Sequence, residues 1–126
     1  MSGQLASLVA GADLPSVDEA AIAQLRELME EEFAELMQTF VDNAPRELLR
    51  LREAALACEF GNVAAGSHTL KGSSANLGLP RLSALAKSLE LLARSGQDCV
   101  ALRQRLSELE EEFSRLLPRL RDYAEG

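Results

Sequence analysis

Apolar residues recur along this chain at steps of three and four, the spacing of one face of an α-helix. Phe33, Leu36, Met37, Phe40 and Val41 form such a stripe and predict a helix from Glu30 to Asn43. Glu30, Glu31 and Glu32 suit its N-terminal turn, where acidic groups oppose the helix dipole. Upstream, Ser16-Val17-Asp18-Glu19 has the form of a capping box, with Asp18 as a competing cap. It opens a short helix through Ile22, Leu25 and Leu28. Pro45 is tolerated in the first turn of a third helix capped by Asn43 or Ala44. That helix would turn Leu48, Leu51, Ala55 and Cys58 inward and end before Gly61.

Three further helices follow. One begins near Asn62, a good N-cap, and ends at Gly78 as the C′ glycine. Pro80 restarts the next, striped by Leu82, Leu85, Leu89 and Leu92 and ended by Ser95-Gly96. Asp98 caps the last, where Leu102, Leu106, Leu109, Phe113, Leu116 and Leu120 alternate in steps of four and three; Pro118 kinks or terminates it. No segment alternates with a period of two, and no Asn-Gly or Asp-Gly pair marks a hairpin. Short connections make consecutive long helices antiparallel. The expected fold is all-α: an up-down antiparallel four-helix bundle with one or two additional short N-terminal helices packed across it. Residues 1–15 read as an N-terminal tail and residues 16–126 as the domain.

Composition narrows the function. The chain has 126 residues, enough for one domain with a real core. With no Trp, one Tyr and four Phe, that core must be mostly Leu and Ala. A net charge of −7 argues against nucleic acid and against anionic membrane surfaces. No apolar run approaches the roughly 18 residues of a membrane span, and the start Met1-Ser2-Gly3-Gln4-Leu5-Ala6 lacks the basic and apolar regions of a secretory signal. A cytoplasmic protein is expected. Cys58 and Cys99 have no metal-ligand spacing and read as two reduced, semi-buried thiols.

The candidate chemistry lies at His68, the single histidine. On a helical wheel it lies about 180° from the Val63, Leu70 and Leu77 seam. Gly61, Ala64, Ala65, Lys71, Gly72 and Ala75 flank it, all small except the lysine. A lone histidine is more often structural than functional, but this one faces away from the core. One His with two separated Cys is too few ligands for a metal site. Ser67, Ser73 and Ser74 lie close by, yet no elbow or oxyanion hole accompanies them, so a hydrolase is disfavoured. A nucleophilic imidazole fits better, because its neutral form is well populated near cellular pH. Lys71, one turn on, could neutralise a phosphoryl group as a mobile point charge, although alone it reads as a solvated surface charge. Gly72 costs about 1 kcal/mol against Ala inside a helix, so close packing or partner access should explain it.

The run His68-Thr69-Leu70-Lys71-Gly72-Ser73-Ser74-Ala75-Asn76-Leu77-Gly78 resembles the signature of histidine-containing phosphotransfer (HPt) domains of two-component phosphorelays, position for position. Phe40 with Asp42-Asn43-Ala44 resembles that family's second-helix ending, and Leu89-Glu90 its following leucine-glutamate pair. The likeness covers about residues 16–120.

The resemblance implies that His68 is the phosphoacceptor on its distal ring nitrogen, with Lys71 near the phosphoryl group. Glu90, 22 residues after His68, would hold the proton on Nδ1. Gly72 would let a receiver domain dock, with Ala64, Ala65, Ala75, Leu79 and Arg94 around it. The implied partners are response-regulator receiver domains and the receiver domains of hybrid sensor kinases. No cofactor and no metal are expected on this chain, and Mg²⁺ is expected on the partner receiver. The chain would be a phosphocarrier without autokinase activity, acting as a monomer. Two alternatives remain: a helical docking module that is never phosphorylated, and the phosphoacceptor domain of a larger hybrid or chemotaxis-type kinase. A start at Met1 and a polar end at Tyr123-Ala124-Glu125-Gly126 favour a free-standing protein.

Overall fold

The computed structural model describes residues 13–125; most of the expected 1–15 tail, and Gly126, lie outside them. The described residues form five helices and no strand: α1 Glu19–Met29, α2 Glu32–Leu56, α3 Phe60–Asn76, α4 Pro80–Ser95 and α5 Cys99–Glu125. The four long helices lie side by side in the cyclic order α2–α3–α4–α5–α2, with no close backbone approach across either diagonal among the described residues. Helix α1 packs on α2. The interior is aliphatic, as the composition required: Leu70, Leu82, Leu89, Leu102, Leu106, Leu109 and Leu120 are fully buried around Met37 and Val63. Two edge-to-face aromatic pairs, Phe40–Phe113 and Phe33–Tyr123, join α2 to α5. No helix among the described residues is long and apolar enough to cross a membrane.

Several local expectations need correction. The chain does not break at Pro45, which lies inside the 25-residue helix α2. Asn43 and Ala44 are therefore interior residues rather than a cap or a helix ending. The physical reason is phase. Phe33, Met37, Phe40, Ala44, Leu48, Leu51 and Ala55 are all buried in one unbroken stripe, and packing along it outweighs the single hydrogen bond that proline removes. Pro118 likewise sits within α5, where Leu116 and Leu120 stay in register with the core. The Ser16 capping box gives way to Asp18, whose Oδ1 accepts from Ala21 N at 3.1 Å. Leu28 is 82% exposed, because α1 turns Ile22, Leu25 and Met29 inward instead. Helix α3 starts at Phe60 rather than near Asn62.

The cysteines also depart from expectation. Cys58, in the α2–α3 turn, and Cys99, the first residue of α5, are joined by a disulfide, with Cα atoms 5.7 Å apart. The expected semi-burial is observed, but not the reduced state. Cys58 leaves α2 with φ of 56°, and Arg103 of α5 donates to the carbonyls of Ala55 and Leu56. These links bring the turn against the start of α5.

The tail end is fixed as well. Arg81 Nε donates to Leu14 O at 2.8 Å, and Arg81 N to Pro15 O at 3.3 Å.

Candidate functional site

The site is built on the α3–α4 pair. Helix α3 is weakly amphipathic, since its exposed face carries glycine, alanine, asparagine and threonine around His68 rather than a run of charge. Its inward residues Val63, Ser67, Leu70 and Ser74 are nonetheless buried. It closes with a full Schellman motif: Gly78 N donates to Ala75 O at 3.2 Å and Leu79 N to Ser74 O at 3.0 Å. Gly78 takes φ of +76° there, and an added Cβ would also press on Ala21 at 3.2 Å. The glycine is thus required both by the turn and by the approach of α1. Pro80 opens α4 immediately afterwards, and Ser83 Oγ donates to Lys71 O at 2.9 Å, tying the two helices side by side.

This closure delivers four side chains to one point. His68 and Lys71 come from α3; Glu90 and Arg94 come from α4. The Glu90 side chain is only 6% exposed, whereas that of His68 is 62% exposed. His68 Nδ1 lies 3.0 Å from Glu90 Oε2. Lys71 Nζ donates to Glu90 Oε1 at 2.9 Å. Arg94 donates to Oε2 twice, from Nε at 3.1 Å and from Nη2 at 2.7 Å. These donors hold the Glu90 carboxyl at a pKa of about 2, below its ordinary 4.5, with the Arg94 bonds the largest cause and Lys71 next; burial opposes them.

The tautomer follows from that charge. An ionised carboxylate can only accept, so the proton in the His68–Glu90 bond belongs to Nδ1. In the neutral ring the lone pair then resides on Nε2, which makes no hydrogen bond among the described residues. A neutral imidazole held this way has its available lone pair, the one a nucleophilic histidine uses, on Nε2.

The other predicted residues divide. Ala65, Gly72 and Ala75 are exposed beside His68. An added Cβ at Gly72 would meet nothing within 4 Å, which removes close packing as the reason for that glycine. Ala64 and Leu79 do not offer docking surface: Ala64 is 6% exposed and Leu79 is fully buried. Leu79 is the residue after the C′ glycine, where a Schellman motif turns an apolar side chain back onto the helix. Ala64 shares a depression with Ala93 and Arg94 where α4 lies over α3. Arg94 belongs to the charge cluster rather than to a separate rim. Sequence reasoning missed that role, although the Glu90–Arg94 spacing of four on a helix is a signal for such a pair. A groove of about 560 Å³ runs beside the cluster past Lys71, Gly72, Ala75, Pro80, Ser83 and Lys87. No group of three His, Cys, Asp or Glu among the described residues could hold a metal ion.

The family profile for the Hpt domain matches residues 35–122. Among solved structures, the chain resembles the crystal structure of histidine-containing phosphotransfer protein B from Pseudomonas aeruginosa PAO1. The two share 30% sequence identity with a TM-score of 0.80, over 90% of this chain and 97% of that one. Comparison with curated protein sequences gives no match. With most of its length matched by the family and its fold shared with a phosphotransfer protein, the chain belongs to the Hpt domain family and has a histidine phosphotransfer role in a two-component phosphorelay.

Proposed function

We propose that His68 accepts a phosphoryl group from the aspartyl phosphate of one receiver domain and passes it to an aspartate of another. The observation that carries this reading is the His68–Glu90 pair, with Nδ1 bonded to a buried carboxylate and Nε2 exposed and unbonded. The Nε2 lone pair attacks phosphorus in line. The bond from phosphorus to the aspartyl oxygen breaks and its electron pair returns to the carboxylate. No proton need move, because Nδ1 keeps its hydrogen throughout. The ring becomes cationic as the N–P bond forms, and the Glu90 anion stabilises that charge where it develops. The reverse step with a second receiver uses the same geometry. Most of the remaining catalysis is alignment and charge neutralisation, to which the two nearby cations contribute.

The exposed small residues Ala65, Gly72 and Ala75, with the groove beside them, supply the approach path for a receiver. The divalent cation for phosphoryl transfer is assigned to that receiver. We read the cyclic arrangement of helices as an up-down four-helix bundle, the chain as a monomer, and its role as a carrier that does not phosphorylate itself from ATP.

The test uses a panel of receiver domains charged with acetyl phosphate and Mg²⁺. The chain should gain acid-labile, base-stable phosphate, and His68→Gln should abolish it while leaving the melting temperature nearly unchanged. Gly72→Gln should slow labelling by receivers. Labelling that persists in His68→Gln removes the acceptor. A chain that binds receivers without ever being labelled is a docking module instead.

A further inference from the structure

Glu90 holds more partners than a tautomer-setting residue requires. Its two oxygens take four donor contacts, from Lys71, His68 and both arms of the Arg94 fork. One buried carboxylate with two cations leaves an excess positive charge, suited to an arriving phosphoryl group. Yet Lys71 is engaged with Oε1 before any phosphoryl group arrives. For its ammonium to serve phosphate, it must leave the carboxylate. Stripping a buried anion of its last cation is strongly unfavourable, so another cation must stay behind.

We propose that Arg94 is a positioning residue whose two-armed hold on Glu90 releases Lys71 to follow the phosphoryl group onto Nε2. This deepens, and rests on, the reading of His68 as the acceptor. Four points assign the roles this way round. Arg94 makes two bonds to one oxygen, whereas Lys71 makes one to the other. Arg94 and Glu90 are four residues apart on the same helix, so their contact survives small shifts between helices. Lys71 has a flexible stem and a rotatable point charge, while the guanidinium is planar and pre-formed for a carboxylate. Lys71 also stands three residues after His68 on the same helix, within reach of a group on its ring.

The test needs no receiver. Phosphoramidate can phosphorylate an imidazole directly: Nε2 attacks phosphorus, the P–N bond of the reagent breaks, and ammonia leaves with the electron pair and a proton. Phosphorus NMR follows the product in the full chain. Arg94→Met should label about ten-fold more slowly than wild type, a milder loss than deleting a charge-stabilising donor outright. On a Lys71→Met background the same Arg94→Met change should slow labelling little further, because Arg94 acts through the ammonium that is already gone. The double variant should thus label at about the rate of Lys71→Met alone, a non-additivity that a merely structural arginine would not produce. Arg94 is 58% exposed, so the variants should fold, and circular dichroism checks this.

An Arg94→Met rate equal to wild type overturns the proposal. So does a double variant slower than either single one, which would place Arg94 itself on the phosphoryl group. A wild-type chain left unlabelled at His68 removes the nucleophile and both readings together. Labelling by phosphoramidate without labelling by any receiver overturns only the receiver assignment.

Discussion

Glu90 is the buried centre of the charge cluster, and its charge has a measurable signature. A carboxyl held at about pH 2 in the folded chain against 4.5 ordinarily favours the folded state whenever it is ionised. The sign follows from linkage: the folded form binds its proton more weakly than the unfolded form. The stabilisation is therefore fully present above about pH 4.5 and is lost as pH falls towards 2. Its size is on the order of 3 kcal/mol. The charged and titratable groups facing it are His68, Lys71 and Arg94, from α3 and α4. Urea unfolding at pH 6 and pH 2.5 should show wild type losing more stability over this range than Glu90→Gln does. Parallel losses in the two proteins would mean that the carboxylate is not held as described. At this level the sequence was legible where the motif fixed residue types, as for His68, Lys71 and Glu90. It was less so for Arg94: its spacing of four from Glu90 signals a pair, but the burial of Glu90 that makes the pair a clamp is set by packing.

Helix α3 shows why three similar glycines carry different meanings. Gly61 and Gly72 have open space where a Cβ would point, whereas at Gly66 it would lie 2.9 Å from Leu51 Cδ2. Leu51 is 2% exposed and cannot swing into solvent. Gly72→Ala should raise stability by up to about 1 kcal/mol through helix propensity alone. Gly66→Ala should lose most or all of that gain to overpacking against α2. Thermal melts of the two variants check the contrast, and equal melting temperatures would mean that Leu51 has room to move. Wheel geometry placed the exposed and buried faces of α3 correctly along Val63, Leu70 and Leu77. It misjudged Ala64, whose burial is imposed by α4 rather than by its angle on α3. It was proline grammar, rather than periodicity, that divided α2: the stripe from Phe33 to Ala55 already ran through Pro45 in phase.

Across the molecule, the Cys58–Cys99 disulfide encloses every group of the site. The segment it closes, between cysteines 41 apart in sequence, holds the whole of α3 and α4, and so His68, Lys71, Glu90 and Arg94. Closing a loop of that length restricts the unfolded chain and stabilises the fold by about 2–4 kcal/mol. Cys58→Ser with Cys99→Ser, or treatment with a reducing dithiol, should lower the melting temperature by about 10 °C. A melt unchanged by both would mean that the bridge adds nothing to the fold. Nothing in the sequence pointed to this pairing, because it depends on where a turn meets the start of a distant helix.

The division between chain and fold is physical. Periodicity, capping residues and small-residue runs act over a turn or two, so they fix helix type, inward stripes and the exposed histidine locally. The signature from His68 to Gly78 carried the family because it sets His68, Gly72 and Ala75 on an exposed helix face with Leu70, Ser74 and Leu77 buried behind them. Contacts between helices obey no local rule. The depth of Glu90, the sharing of its oxygens among Lys71, His68 and Arg94, the burial of Ala64 and Leu79, and the joining of Cys58 to Cys99 arise from how α3 and α4 lie together and against α2 and α5. They are consequences of packing, in which distant side chains compete for the same space and the same charge.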